Sequence, residues 1–213
     1  MRTETGAISL TEPGHIGSLS GQTATVSAPC LTTTQSITRL SVFAALASAG
    51  LIWDLFSKWY VFNQLGALQR RHIWTGSLLG IPTEFQLATT FNHGALWGIG
   101  QGRTWLFAAL SLVALVVIAY FIWNRQAISS WFLTIATGLL LAGTLGNLFD
   151  RLGLHGWKEN GAPVYAVRDF LDFVFFNGAF EWATFNFADT YLVTGAIMLV
   201  VQSMFTPASD QQA

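Results

Sequence analysis

Four apolar stretches, each close to the roughly 20 residues that an α-helix needs to cross a bilayer, constrain this chain more than anything else in it. They are SVFAALASAGLIWDLFSKWYVF (41–62), WLFAALSLVALVVIAYFIW (105–123), ISSWFLTIATGLLLAGTLGNLF (128–149) and ATFNFADTYLVTGAIMLVVQSMF (183–205). The second is the cleanest, with no charge between Arg103 and Arg125. Trp105, Trp123, Trp131 and Trp182 stand at segment ends, where an indole keeps its ring in lipid and its N–H in water. Only 10% of residues are charged, against about 25% in an ordinary soluble domain. The expected fold class is therefore an all-α membrane protein of four transmembrane helices, with both termini on one side.

Outside the spans the chain divides unevenly. Residues 1–40 are rich in Ser, Thr and Gly and lack an apolar run of signal-peptide length, so a disordered N-terminal tail is expected there. The membrane domain follows over 41–206, and 207–213 form a short C-terminal tail. Cys30 is the single cysteine. It has no disulfide partner, and without an apolar run before SAPC it reads as an incidental thiol. No second Cys and no clustered His offers metal-ligand spacing, so no metal and no cofactor are expected. A net charge of −1 with no Lys/Arg run gives no footprint for nucleic acid.

The connections differ in kind. In the first, 63–104, Phe85, Leu87, Thr89 and Phe91 alternate with Gln86, Ala88 and Thr90 between Pro82 and Gly94. This predicts a small strand pair lying against the membrane. The second, around 124–127, is a tight turn. The third, 150–182, contains GWKENGAP and reads as a turn-rich loop. Lys58, Arg70, Arg71, Arg103, Arg151, Lys158 and Arg168 gather on the side of the two long connections, against Arg2, Arg39 and Arg125 on the other. Charge alone would put the long connections in the cytoplasm.

Polar residues within the spans need partners or a function. Asp54 and Lys58, four apart on one helix face, read as a mutually neutralising pair near the interface. Asn147 and Arg151 are also four apart, with Gly143 on the same face, and Asn147 is too deep to reach the headgroups, which favours a cavity-facing role. Asn186 and Asp189 share a face of the fourth segment, and Asp169 lies twenty residues before Asp189 in VRDFLDF. Two carboxylates about 3 Å apart cannot both ionise easily, so one can accept a proton from water while the other donates to a carbonyl. No Ser with a plausible His partner competes, since His15 is in the tail and His72, His93 and His155 lie in connections without a nucleophile motif.

GTLGNLFDRL (143–152), VRDFLDF (167–173) and FNFADTYLVTG (185–195), in this order and spacing, resemble the signature blocks of the bacterial lipoprotein signal peptidase (signal peptidase II) family. DLFSK (54–58) and FNHGALWG (91–98) are similar to two further blocks. The resemblance covers about residues 41–205 and implies four helices, a small extracytoplasmic β-cradle and a lid. It implies a metal-free aspartic endopeptidase of the bacterial inner membrane, probing membrane lipid for prolipoproteins and cutting before the diacylglyceryl-modified cysteine. It assigns Asp169 and Asp189 to catalysis and Asn92, Gly94, Asn147, Arg151 and Asn186 to substrate binding, with Asp54 and Lys58 as a structural polar pair. It also implies a monomer with cytoplasmic termini and a dyad near the outer face, against the charge count. Departures are Arg168 where the family usually has an apolar residue, a longer third connection, bulky His93 and Trp97 in the cradle motif, and the long tail. Backbone alternation predicts that Arg168 points away from Asp169.

Two other classes are weighed beside this one. A small transporter or channel would place Asp, Asn and Arg inside a bundle, but would show repeated halves or broken helices. A non-catalytic scaffold would use the same groups to join helices. The Gly-x-Gly-Asp motif of other aspartic intramembrane proteases is absent from the sequence.

Overall fold

The computed structural model describes residues 32–94, 100 and 102–205. Cys30, His15, Trp97, most of the first 40 residues and the segment after Phe205 lie outside the described residues. Four helices are long and apolar enough to cross a membrane: α1 (Thr33–Leu65), α2 (Thr104–Trp123), α3 (Trp131–Arg151) and α4 (Phe187–Phe205). A single 3₁₀ turn, Gln126–Ile128, links α2 to α3.

α1 starts eight residues before the apolar stretch that marks it in the sequence, so residues 33–40 are helix and not tail. The cause is a capping box in TTTQ. Thr32 Oγ1 accepts the Gln35 N–H at 3.2 Å while Gln35 Oε1 accepts the Thr32 N–H at 3.1 Å, satisfying two otherwise orphaned donors. With 33 residues, α1 is about 50 Å long and outruns the roughly 30 Å hydrocarbon core. α4, by contrast, begins later than its apolar stretch, because residues 183–186 first pass beside the sheet, where Phe185 bridges to Leu171.

α3 is the central helix and packs on each of the other three. Its buried face is built from small residues, Ala136, Gly138, Ala142, Gly143 and Gly146. A Cβ at Gly143 would lie 2.5 Å from the Ala188 carbonyl oxygen, and one at Gly146 would collide with the Asp54 carboxylate. These absences of side chain let α1 and α4 approach closely. α2 buries only Thr104, Ala108 and Ile118 and presents the rest of its surface outward.

The long connections join in one antiparallel sheet, β1 (Arg70–Leu78), β2 (Ile81–Asn92), β5 (Val167–Phe175) and β6 (Phe180–Glu181), in that order. The strand pair expected in the first connection is therefore half of a four-stranded sheet, and the third connection is not a loop alone: it supplies β5 beside β2. GWKENGAP does turn, as the hairpin β3 (Lys158–Glu159) and β4 (Ala162–Pro163), with Asn160 and Gly161 at φ 52° and 83°. That left-handed pair is what Asn-Gly supplies most readily.

One irregularity in β2 matters for everything near it. Leu87 pairs with Leu171 but Thr90 pairs with Asp169, so Ala88 and Thr89 oppose Phe170 alone in a β-bulge. The bulge changes which side chains share a face. Phe85 and Leu87 are joined by Thr90 and Asn92, and not by Thr89 and Phe91 as strict alternation predicts. Thr89 fixes the bulge by donating to the Gly66 carbonyl at 2.7 Å and accepting the Gln69 N–H at 3.0 Å. On the other face Phe91 meets Phe62 of α1 at 5.4 Å between ring centroids, and Phe62 meets Trp157 at 5.8 Å. These rings, with buried Val61 and Phe170, seat the sheet on the end of α1.

Candidate active site

Asp189 occupies the first turn of α4, and the backbone there dictates its position. Asn186 precedes the helix; its Oδ1 accepts the Asp189 N–H at 3.0 Å, while Asp189 Oδ2 accepts the Asn186 N–H at 3.1 Å. This reciprocal cap locks the carboxylate at a helix N-terminus, where negative charge is favoured. Its other oxygen, Oδ1, accepts from Asn147 Nδ2 at 2.7 Å.

Asp169 arrives from a different element, strand β5, and is 1% exposed. Asn186 Nδ2 donates to its Oδ1 at 2.6 Å and Asn92 Nδ2 to its Oδ2 at 3.0 Å. The bulge makes the second bond possible by bringing Asn92 to the face that carries Asp169. Gly94 N–H donates to Asn92 Oδ1 at 3.0 Å and so fixes which end of that amide faces the carboxylate. Burial first, and the neighbouring Asp189 carboxylate second, hold Asp169 well above the usual carboxylate range. Asn186 thus touches both acids, through Nδ2 at Asp169 and its backbone N–H at Asp189.

Of the residues singled out in the sequence, Asp169, Asp189, Asn92, Gly94, Asn147 and Asn186 meet in this one network. Arg151 comes close without a hydrogen bond to either acid. Its guanidinium lies 5.6 Å from the centroid of the Phe107 ring, and it lines, with Asn147, Ser111, Thr144 and Leu192, a cavity of about 220 Å³ among α2, α3 and α4. The cavity wall is mostly apolar, with Ser111, Thr144, Asn147 and Arg151 as the polar side chains.

Asp54 and Lys58 require a correction. They form the expected pair, at 2.7 Å, but both are fully buried and the pair is not closed on itself. Lys58 Nζ also reaches Asp150 Oδ2 at 3.2 Å and Asn147 Oδ1 at 3.1 Å, and Asp54 Oδ1 accepts the Ala188 N–H of α4 at 2.8 Å. Arg168 points away from Asp169, as alternation predicts. It donates to Asp150 Oδ1 from Nε at 3.1 Å and Nη2 at 2.8 Å, and its backbone N–H reaches Oδ2 at 3.0 Å. Asp150 is the residue that reading the sequence missed. The signal was present: a carboxylate in an apolar helix with no base four residues away needs a partner from elsewhere in the chain.

A family model described as Signal peptidase (SPase) II matches residues 46–205. The lipoprotein signal peptidase of Rhodopirellula baltica is 38% identical over 78% of this chain and 72% of its own length. That of Lactiplantibacillus plantarum is 35% identical over 61% of this chain and 77% of its own. A solved bacterial membrane enzyme superposes with a TM-score of 0.61 at 22% identity, covering 82% of this chain and 94% of that one, a likeness of fold.

Proposed function

The chain belongs to the signal peptidase II family, and from that premise we propose that Asp169 and Asp189 are the catalytic dyad of an aspartic endopeptidase. The protein is a membrane peptidase that removes signal peptides from prolipoproteins, and the transporter reading is not favoured. The finer reading is that it cuts before a diacylglyceryl-modified cysteine, with the dyad near the outer face and both termini in the cytoplasm. The observation that carries it is that Asn186 donates to carboxylates from two separate elements, from Nδ2 to Asp169 Oδ1 and from its backbone N–H to Asp189 Oδ2.

In this reading the buried Asp169 acts as the acid, and Asp189, held at the helix N-terminus, acts as the base. Asp189 takes a proton from the bound water, and the resulting hydroxide attacks the scissile carbonyl carbon. Asp169 gives its proton to the carbonyl oxygen, so the tetrahedral intermediate forms without net charge transfer out of the site. Collapse breaks the C–N bond as Asp189 gives its proton to the leaving nitrogen and Asp169 takes one from a hydroxyl of the diol, which restores the starting pair. Asn92, Gly94, Asn147 and Asn186 hold the two acids in register, and Arg151 lines the route along which the substrate enters. A substrate that is itself a membrane helix with acyl chains reaches such a site by lateral diffusion.

Asp169→Asn and Asp189→Asn should each lower cleavage of a diacylglyceryl-modified prolipoprotein by at least about 10³-fold, with helicity by circular dichroism unchanged. EDTA should leave the wild-type rate as it was. Full activity in either variant removes that residue from the dyad.

A further inference from the structure

Beneath the dyad the bundle buries four charged groups. Asp54, Lys58 and Asp150 are fully buried and Arg168 is 3% exposed. Two acids and two bases cancel, and charges taken this far from water persist only when paired and hydrogen-bonded. Lys58 commits its ammonium to three acceptors, Asp54 Oδ2, Asp150 Oδ2 and Asn147 Oδ1. The third matters for chemistry. An amide can present either its oxygen or its nitrogen, and with Lys58 and Asn186 Nδ2 both donating to Asn147 Oδ1, at 3.1 and 3.3 Å, the Asn147 nitrogen is left to face Asp189.

Arg168 decides whether Lys58 is available for that task. Its planar fork covers Asp150 Oδ1 twice, and its backbone N–H adds a bond to Oδ2. Without the guanidinium, one ammonium would face two buried carboxylates, and the network would carry a net negative charge below the dyad. Lys58 would be drawn to the two acids and its hold on a neutral amide oxygen weakened.

We propose that Arg168 is a positioning residue for the hydrolysis: by neutralising Asp150 it leaves Lys58 free to fix the Asn147 amide, which aims the Asp189 carboxylate across the dyad. This rests on the dyad assignment above. In this chain it turns the departure at Arg168 from a threat to the acid into a support for it. The charged and titratable groups around the pair are Asp54 and Lys58 of α1, Asp150 and Arg151 of α3, His155 after it, and Arg168 itself.

The test compares Arg168→Leu, Arg168→Lys and the double variant Arg168→Leu/Asp150→Asn as full-length protein, with kcat and KM for the lipidated prolipoprotein followed from pH 4 to 10. Removing a cation near the dyad strengthens proton binding by both acids. Both limbs of the kcat profile for Arg168→Leu should therefore move up by roughly half a pH unit, with kcat down about tenfold or more and KM within about twofold. The double variant restores neutrality and should return the limbs to the wild-type position. Arg168→Lys keeps the charge but not the fork, so its limbs stay and kcat falls about threefold or more. Limbs of Arg168→Leu that do not move, or a double variant displaced as far as the single one, overturn the proposal, since a purely structural role lowers amplitude alone. If Arg168→Leu does not accumulate folded, the Lys variant decides, and wild-type kcat in it overturns the proposal. Inactivity of Asp189→Asn, measured alongside, separates failure here from failure of the dyad.

Discussion

In the proposed dyad the two aspartates take different roles because their surroundings differ. Asp189 accepts a backbone N–H and an amide N–H at a helix N-terminus, whereas Asp169 sits in a strand, sealed from water and beside a like charge. The kcat/KM profile should therefore be bell-shaped, with its alkaline limb set by loss of the proton that Asp169 holds. Stability carries the same signature. Asp169 binds its proton more tightly folded than unfolded, so the stability it lends is fully present below the ordinary carboxylate value of 3.8 and is lost as pH rises through the raised folded value. Asn at this position does not titrate. The melting temperature of the wild type minus that of Asp169→Asn should thus shrink as pH is raised from about 5 to about 9. A difference independent of pH would place the shared proton elsewhere.

Among the elements, α3 sets the geometry of the site, because its glycine face determines how near α4 can bring Asp189. Gly143 faces the Ala188 carbonyl and Leu192, both belonging to the turn that carries Asp189, so a methyl there has to push backbone away. Gly138 faces mainly the tip of Leu46, which can swing aside. Gly143→Ala should cost about 1–3 kcal/mol and lower kcat about 10²-fold through misplacement of the carboxylate; Gly138→Ala should do much less of both. Thermal unfolding and cleavage rates on the two variants check this, and equal losses would deny α3 that role. How much of this was legible beforehand follows from the range of each signal. The spans and the pairs Asp54/Lys58, Asn147/Arg151 and Asn186/Asp189 could be read from helical spacing, since each pair lies within one turn or so. The strand β5 could not, because VRDFLDF is buried on both faces over its first four residues and shows no polar side to alternate with. The bulge that turns Asn92 towards Asp169 depends on Thr89 binding the chain at Gly66 and Gln69, and Asp150 finds its cation 18 residues later. Neither contact leaves a periodic trace.

At the scale of the whole molecule, the fold narrows the conflict between charge count and family orientation. Seven Lys and Arg residues lie on the side of the sheet against Arg2, Arg39 and Arg125 on the other, but only loop cations facing the headgroups bias topology. Lys58 and Arg168 are buried in ion pairs, Arg70 is bound to Glu181 at 2.7 Å, and Arg151 stacks on Phe107. Arg71, Arg103 and Lys158 remain as exposed cations on that side. On the other, Arg39 is held by the Ile128 and Ser129 carbonyls at the α2–α3 turn, and Arg125 is exposed. With the paired cations set aside, the excess narrows from seven against three to Arg71, Arg103 and Lys158 against Arg125 and Arg2, and charge still leans against the proposed cytoplasmic termini. In a Cys30→Ser background, a cysteine replacing Glu159 in the β3–β4 hairpin should react with a membrane-impermeant maleimide on intact spheroplasts. A cysteine replacing Arg125 should react only after permeabilisation. The reverse pattern would put the dyad on the cytoplasmic face, where a lipidated precursor already moved outward could not reach it.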